Sequence, residues 1–292
     1  MANNELKKQL QEAEALLSQA DDQDIKELAK EEILNLRRQL DSLRPENQRN
    51  AVMEIRAGAG GDEAELFAGQ LLRMYERYSE RQGWKAELTE INGSELGGVK
   101  SATMIIRSPL AYARLRFEGG VHRVQRVPKT EKAGRIHTSA ASVVVLPEAQ
   151  DIDVQIRPEE LRIDVYHSGG AGGQSVNTTD SAVRLTHLPT GIVVTCQDER
   201  SQLKNKTKAM AILRTKLWEM ESQRQEQATG NTRRSMIKSG DRSDKIRTYN
   251  FPQSRITDHR INQSWHNLDA IMDGAIDPIV TALNLAHLVE GE

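Results

Sequence analysis

A chain of 292 residues with 37% hydrophobic, 28% charged and only 4% aromatic content has room for about two domains with cores of their own. Its formal net charge of −2 excludes the global basic bias of a general nucleic-acid binder, yet residues 200–248 hold thirteen Lys and Arg against five Asp and Glu. The single cysteine, Cys196, excludes an intrachain disulfide and a cysteine-built zinc site, and no run approaches the ~18 apolar residues of a membrane span, so a reducing, cytoplasmic setting without membrane contact is expected.

Residues 3–43 carry leucines and alanines at helical spacing on two faces, with Asp21-Asp22 between them, and are expected to form a helical hairpin that Arg44-Pro45 ends. From Ala51 the period changes. AVMEIRAG alternates like a strand, GAGGDEA is a glycine turn, and DEAELFAGQLLRMYERYSER is an amphipathic helix expected to start on an acidic N-cap. KAELTEI and ATMIIRS are expected strands and LAYARLRFEG a short helix, after which HRVQRVP and IHTSAASVVVLP are two strands flanking PKTEKAGR. DIDVQI and LRIDVYH are expected to be strands leading into HSGGAGGQSVNTTD, and VRLTHLPTGIVVTCQ is a hairpin turned by Pro189-Thr190-Gly191. SQLKNKTKAMAILRTKLWEMESQRQEQ is a long basic helix, and the polar stretch after it is expected to be a mobile connector over about residues 229–247, as are residues 167–174, since neither has apolar anchors. The tail is expected to be two helices split near Asp277-Pro278.

The glycine-rich stretch, four glycines in the five residues 169–173 and then Gln174, is either a linker or a shaped site on composition alone. It lacks the lysine of a P-loop and the spacing of a dinucleotide fingerprint. Gln174 cannot act as a general acid or base, because its amide does not titrate near neutrality. A catalytic role therefore requires positioning and backbone N–H donation to a developing charge, on a substrate presented by a partner. Arg200, Lys204, Lys206 and Lys208, near the start of the basic helix, suit either a solvated face or an RNA phosphate surface. The seven histidines show no metal-ligand spacing, no nucleophile elbow is present, and no metal or cofactor is expected.

HSGGAGGQSVNTTDSAVRLTHLPTGIVVTCQDERSQLKNK resembles the catalytic domain of bacterial class I peptide chain release factors, with Gly172-Gly173-Gln174 at the GGQ motif. RAGAGGDEAELFAGQL, GGVHRVQRVPKTEKAGRIHTSAASVVVLPE and SDKIRTYNFPQSRITDHR are similar to the same family in the same order, over roughly residues 48–292. The resemblance implies an α+β, multi-domain chain: a helical hairpin over 1–47, a mixed α/β codon-recognition domain over 48–156 completed by 248–292, and a small GGQ domain with its long helix and connector over 157–247. Pro128-Lys129-Thr130 looks like the PxT tripeptide of the type that reads UAA and UAG. By the same resemblance Gly60 and Glu63 face the first uridine, Gln125 and Thr138 bond the third base, and His137 is the surface on which that base stacks, a mode typical of single-stranded RNA.

The activity so implied is hydrolysis of the peptidyl-tRNA ester on the ribosome, with messenger stop codon, ribosomal RNA and P-site tRNA as partners and no self-contained enzyme. Gln174 is also the implied target of a glutamine methyltransferase. A codon-independent ribosome-rescue hydrolase is the alternative, and the codon-reading motifs argue against it. Two departures stand out: Gly169 adds a glycine where the family usually has serine, and residues 1–47 are shorter than the family's first helical domain. That domain faces the recycling GTPase, so this partner is the one the resemblance does not carry over.

Overall fold

The structure, a computed structural model, describes residues 2–20, 22–128, 134–150, 152, 154–166, 181–237 and 241–290. They fall into two compact units, Met1–Ala149 with Thr232–Glu292, and Gln150–Asn231.

The first unit opens with the expected hairpin, α1 (Ala2–Gln19) and α2 (Gln23–Ser42). The Asp22 side chain caps α2 by accepting from the Asp24 N–H at 2.9 Å. Pro45 then begins a 3-10 turn, and the chain enters β1 (Ala51–Ala57). The next helix, α3 (Asp62–Arg81), buries Phe67, Leu71, Met74, Tyr75 and Tyr78, a stripe at helical spacing. Its N-cap is Gly61 at φ 58°, not an acidic side chain, because the chain turns into the helix through left-handed backbone. There follow β2 (Lys85–Gly93), β3 (Val99–Arg107), α4 (Ala111–Leu115), β4 (Gly120–Arg126) and β5 (His137–Pro147). After the second unit the chain returns with β9 (Lys245–Asn250), β10 (Arg255–Asp258), β11 (Gln263–His266), α6 (Leu268–Met272) and α7 (Asp277–Glu290).

These strands form one eight-stranded sheet, ordered β11-β10-β9-β4-β5-β1-β3-β2. Every neighbouring pair is antiparallel except β4 and β9, which run parallel. β5 is buried from Ser139 to Leu146, as its continuous apolar run requires of a central strand. One face of the sheet packs Met53, Ile55, Met104, Val124, Val143, Tyr249 and Ile256 against α3, α6 and α7. The hairpin is tied to the end of α7, where Arg37 Nη1 donates to the carbonyls of Leu288 and Val289 at 2.9 Å each.

The second unit is a three-stranded antiparallel sheet, β6 (Leu161–Tyr166), β7 (Ala182–His187) and β8 (Val193–Cys196), in the order β6-β7-β8. It packs Val183, Leu185, Val194 and Cys196 on Ala209, Leu213 and Leu217 of α5 (Gln202–Ile237). Gly191, at φ 70°, closes the expected hairpin turn.

Two further expectations fail. The described residues of DIDVQI are irregular, with no strand beside them, and its apolar positions Val154 and Ile156 pack on the cluster under α5 instead. The mobile connector is helical to Ile237, because that end of α5 is anchored: Arg233 donates to Glu54 of β1 from Nε at 3.0 Å and Nη2 at 2.5 Å. Residues 241–250 are ordered too, as a 3-10 turn and β9.

Candidate functional site

The described residues singled out between 60 and 138 meet at one corner of the first unit. β1 runs on past its last pair into backbone bonds with β5, Gly58 N–H to Ala140 O and Ala140 N–H to Ala59 O, both 2.9 Å. Gly60 is therefore pressed on β5: at φ 143°, a Cβ there would stand 2.4 Å from Ser139 Oγ. Only glycine permits both that dihedral and that approach. In the first turn of α3, Glu63 is 5% exposed and accepts from Arg126 Nε at 2.5 Å. The same guanidinium donates to Gln70 Oε1 at 2.5 Å and stacks 5.0 Å over the Phe251 ring. Arg126 thus braces the end of β4 to the tip of α3, and Glu63 Oε2 has no hydrogen-bond partner among the described residues. Across the β4/β5 ladder Gln125 pairs with Thr138 and Arg126 with His137, so Gln125 and Thr138 share one face and His137 opens β5 as an exposed ring. Pro128 is buried two residues past β4; Lys129 and Thr130 lie outside the described residues.

In the second unit Tyr166 and Ala182 are register partners, so the glycine-rich stretch joins two paired strand ends. Gly172, Gly173 and Gln174 themselves, and Gly169, lie outside the described residues. Arg200, Lys204, Lys206 and Lys208 are all exposed. Lys204 and Lys208 stand a turn apart on one flank of the buried Asn205-Ala209-Leu213 stripe, and Lys206 on the other. Lys208 forms an ion pair with Asp198, whose hydrogen bond and charge raise the ammonium pKa. No metal-holding cluster of His, Cys, Asp and Glu occurs among the described residues.

The PCRF domain family matches residues 2–143 and the RF-1 domain family residues 150–260. Peptide chain release factor 1 of Anaeromyxobacter dehalogenans is 55% identical over 280 residues, covering 92% of this chain and 75% of that protein. Peptide chain release factor 1 of Desulforudis audaxviator is 52% identical over 286 residues, covering 94% and 81%. The chain belongs to the bacterial class I peptide chain release factors. Among solved structures, RF2 of Thermus thermophilus is similar over 98% of this chain and 83% of that one, with a TM-score of 0.55 and 37% identity. Release factors terminate translation on the ribosome, and the chain is a translation termination factor of the type-one branch by its relatives.

Two side-chain roles in this release factor escaped the sequence reading. Arg126 is one; its partners Glu63, Gln70 and Phe251 come from distant segments, and only the acid at 63 was noticed. The other is Asn205, fully buried inside a run of exposed lysines. Its Nδ2 donates to the carbonyls of Ser181 at 2.7 Å and Glu199 at 2.8 Å, and its Oδ1 accepts from the Glu199 N–H at 2.9 Å. It therefore fastens the exit of the glycine-rich stretch and the turn after β8 to α5. Asn205→Ala strands these backbone groups and is expected to destabilise the second unit by about 2 kcal/mol, at 1–3 kcal/mol per buried group left unpaired less what water recovers. Hydrogen exchange at Glu199 and in β7 checks this, and unchanged protection there would remove Asn205 from that role.

Proposed function

We propose that this release factor reads UAA and UAG through Gly60, Glu63, Gln125, Pro128, Lys129, Thr130, His137 and Thr138, and triggers hydrolysis of the P-site peptidyl-tRNA ester through Gly172, Gly173 and Gln174. The observation that carries the first half is the convergence of three separate segments: Gly60 packed on Ser139, Gln125 in register with Thr138, and the His137 ring exposed beside them. The exposed His137 ring offers a face on which a base can stack, and an amide and a hydroxyl beside it can each donate or accept. Thr130 carries a hydroxyl of the same versatility, which suits both a uridine and an adenine edge.

For the second half, Gln174 offers a backbone N–H to the transition state and leaving ribose oxygen, its side chain limits the pocket to water, and the ribosome's RNA with the tRNA hydroxyl supplies proton transfer. Arg200, Lys204, Lys206 and Lys208 contact ribosomal RNA phosphates, and Gln174 is methylated by a glutamine methyltransferase. The reading assigns codon recognition to 48–156 with 248–292 and hydrolysis to 157–247. It places the protein in the cytoplasm; among the described residues no helix is long and apolar enough to cross a membrane.

The test is peptide release on ribosomes programmed with UAA, UAG, UGA or a sense codon. Release on UAA and UAG alone is expected. Equal release on all four is the result of a rescue hydrolase and sinks the proposal, as does release on none. Thr130→Ala is expected to reduce the preference for stop over sense codons by roughly 10-fold, as one lost hydrogen-bonding group at a base edge does; an unchanged preference removes Thr130 from the reading set.

A further inference from the structure

The third-base pair does not end at β4. The ladder continues it: Gln125 is in register with Asn250 of β9, Asn250 with Arg255 of β10, and Arg255 with His266 of β11. Register partners point to the same side of a sheet, so Thr138, Gln125, Asn250, Arg255 and His266 form one polar row across five strands. The side is the one opposite the core, since the alternate residues Val124, Tyr249 and Ile256 are fully buried. A second row behind it runs Arg123, Thr248, Thr257 and Ser264, tied together by Arg123 Nε to Thr248 Oγ1 at 3.2 Å and Thr257 to Ser264 at 2.9 Å.

The rows contain two guanidiniums and no carboxylate. Asp258, the acid of β10, is turned to the core side, where Arg247 and Arg260 hold it. Arg255 forms no ion pair among the described residues; its Nη2 donates to Gln253 Oε1 at 2.8 Å, and its Nε is buried without a hydrogen-bond partner. Asn250 donates to the same Gln253 oxygen at 3.2 Å, which presents the amide and the guanidinium side by side. Strand spacing places β11 about 14 Å beyond β4.

We infer that this row binds the messenger strand immediately 3′ of the stop codon, with Arg255 on a phosphate and Asn250 and His266 against the following nucleotides. The inference rests on the proposed third-base role of Gln125 and Thr138: a strand whose third base lies on that pair continues along the row, over a surface that carries positive charge and no carboxylate. An RNA strand is the partner this chemistry fits, since guanidiniums and amides serve phosphates and unstacked base edges together.

The test compares release by wild type and Arg255→Ala on two ribosome preparations, one with a message cut directly after UAA and one with a message that continues in uridines. Wild type is expected to have a half-saturating concentration on the order of 10-fold lower on the continued message, and Arg255→Ala to lose that advantage while matching wild type on the cut one. The lost contact also flattens the salt dependence of binding to the continued message by about 0.7 in log–log slope. Arg255→Lys, which keeps the charge, recovers most of the advantage, and thermal melting shows that the variants fold. Weakening by the same factor on both messages assigns the row to ribosomal RNA and overturns the inference, as does no effect on either. Failure of the underlying reading looks different: Gln125→Ala then leaves the acceptance of A and G at the third position unchanged, whatever Arg255 does.

Discussion

Glu118→Ala is expected to lower the stability of the first unit by about 3–5 kcal/mol, the range for removing one partner of a buried ion pair. The Glu118 carboxylate, 1% exposed, accepts from both ends of the Arg247 guanidinium, Nη1 at 2.6 Å and Nη2 at 2.8 Å, and from the Tyr75 hydroxyl at 2.8 Å. Arg247 Nε reaches Asp258 at 3.1 Å, and Asp258 is held in turn by Arg260. Two cations face two anions in a region where Arg247 and Asp258 are 0% exposed, so deleting Glu118 leaves one positive charge without its partner and without water. Against a total of roughly 5–15 kcal/mol for a domain, that is a large fraction. Because the chain holds two units, the measurement is urea unfolding followed through Trp84 and Trp265 of the first, with the second unit's Trp218 replaced. A loss under about 1 kcal/mol contradicts the account.

The same network sets a pH dependence. His122 is fully buried, with Nδ1 against the Tyr249 hydroxyl at 3.0 Å and Nε2 against the Glu118 carbonyl at 2.9 Å. Burial, and then the Arg247 charge, push its pKa from 6.5 down to about 4. The unfolded chain takes up a proton that the native imidazole refuses, so stability is fully present above pH 6.5 and is lost as pH falls toward 4. Burial raises the Asp258 carboxyl, but the Arg260 hydrogen bond and the two guanidinium charges outweigh it and bring it to about 2, so a second loss follows between about pH 4 and 2. The network also bears on the proposed codon reading: His122 and Arg247 are register partners, three residues before Gln125 and Asn250 on the parallel pair β4 and β9. Loss of Glu118 releases that pairing from the end opposite the proposed codon corner.

What was legible in the sequence follows from what each segment had to bury locally. The hairpin, α3 and the strands β1 to β5 carry their own period, and the glycines at 60–61 mark a turn that only their dihedrals permit. β9, β10 and β11 were not assigned, because they are six, four and four residues long and their core face includes Arg247 and Asp258, charges that erase the alternation until the partner 129 residues away in Glu118 is known. DIDVQI misled for the converse reason: it alternates, but its apolar residues are satisfied by a helix face rather than by a ladder. The C-terminal end of α5 looked unanchored because its anchor, Glu54, lies 179 residues away. The candidate site was legible in its residue types and family motifs; its geometry was not, since Arg126 joining Glu63 to Gln70 and Phe251 has no local signature.

Gln174→Pro is expected to reduce peptide release by 10²–10³-fold or about that order, the effect of removing one donor aimed at a developing oxyanion, with ribosome affinity unchanged. Proline has no N–H, so the substitution deletes the backbone donor together with the amide side chain. Gln174→Ala keeps the N–H and removes only the amide side chain. It too is expected to impair release far more than binding, and to change selectivity: the widened pocket admits nucleophiles larger than water, so hydroxylamine competes better for the ester. Single-turnover release from pre-charged ribosomes, with and without hydroxylamine, reads the side chain from the alanine variant and the backbone donor from the further loss in the proline variant, and competition against wild type measures binding. A proline variant that releases at the wild-type rate removes the backbone donor from the mechanism. An alanine variant whose nucleophile selectivity is unchanged removes the side chain from it. Neither experiment depends on a titrating group at position 174, and a rate that followed a pKa lost with Gln174 would contradict the proposal outright, since a carboxamide has none to lose.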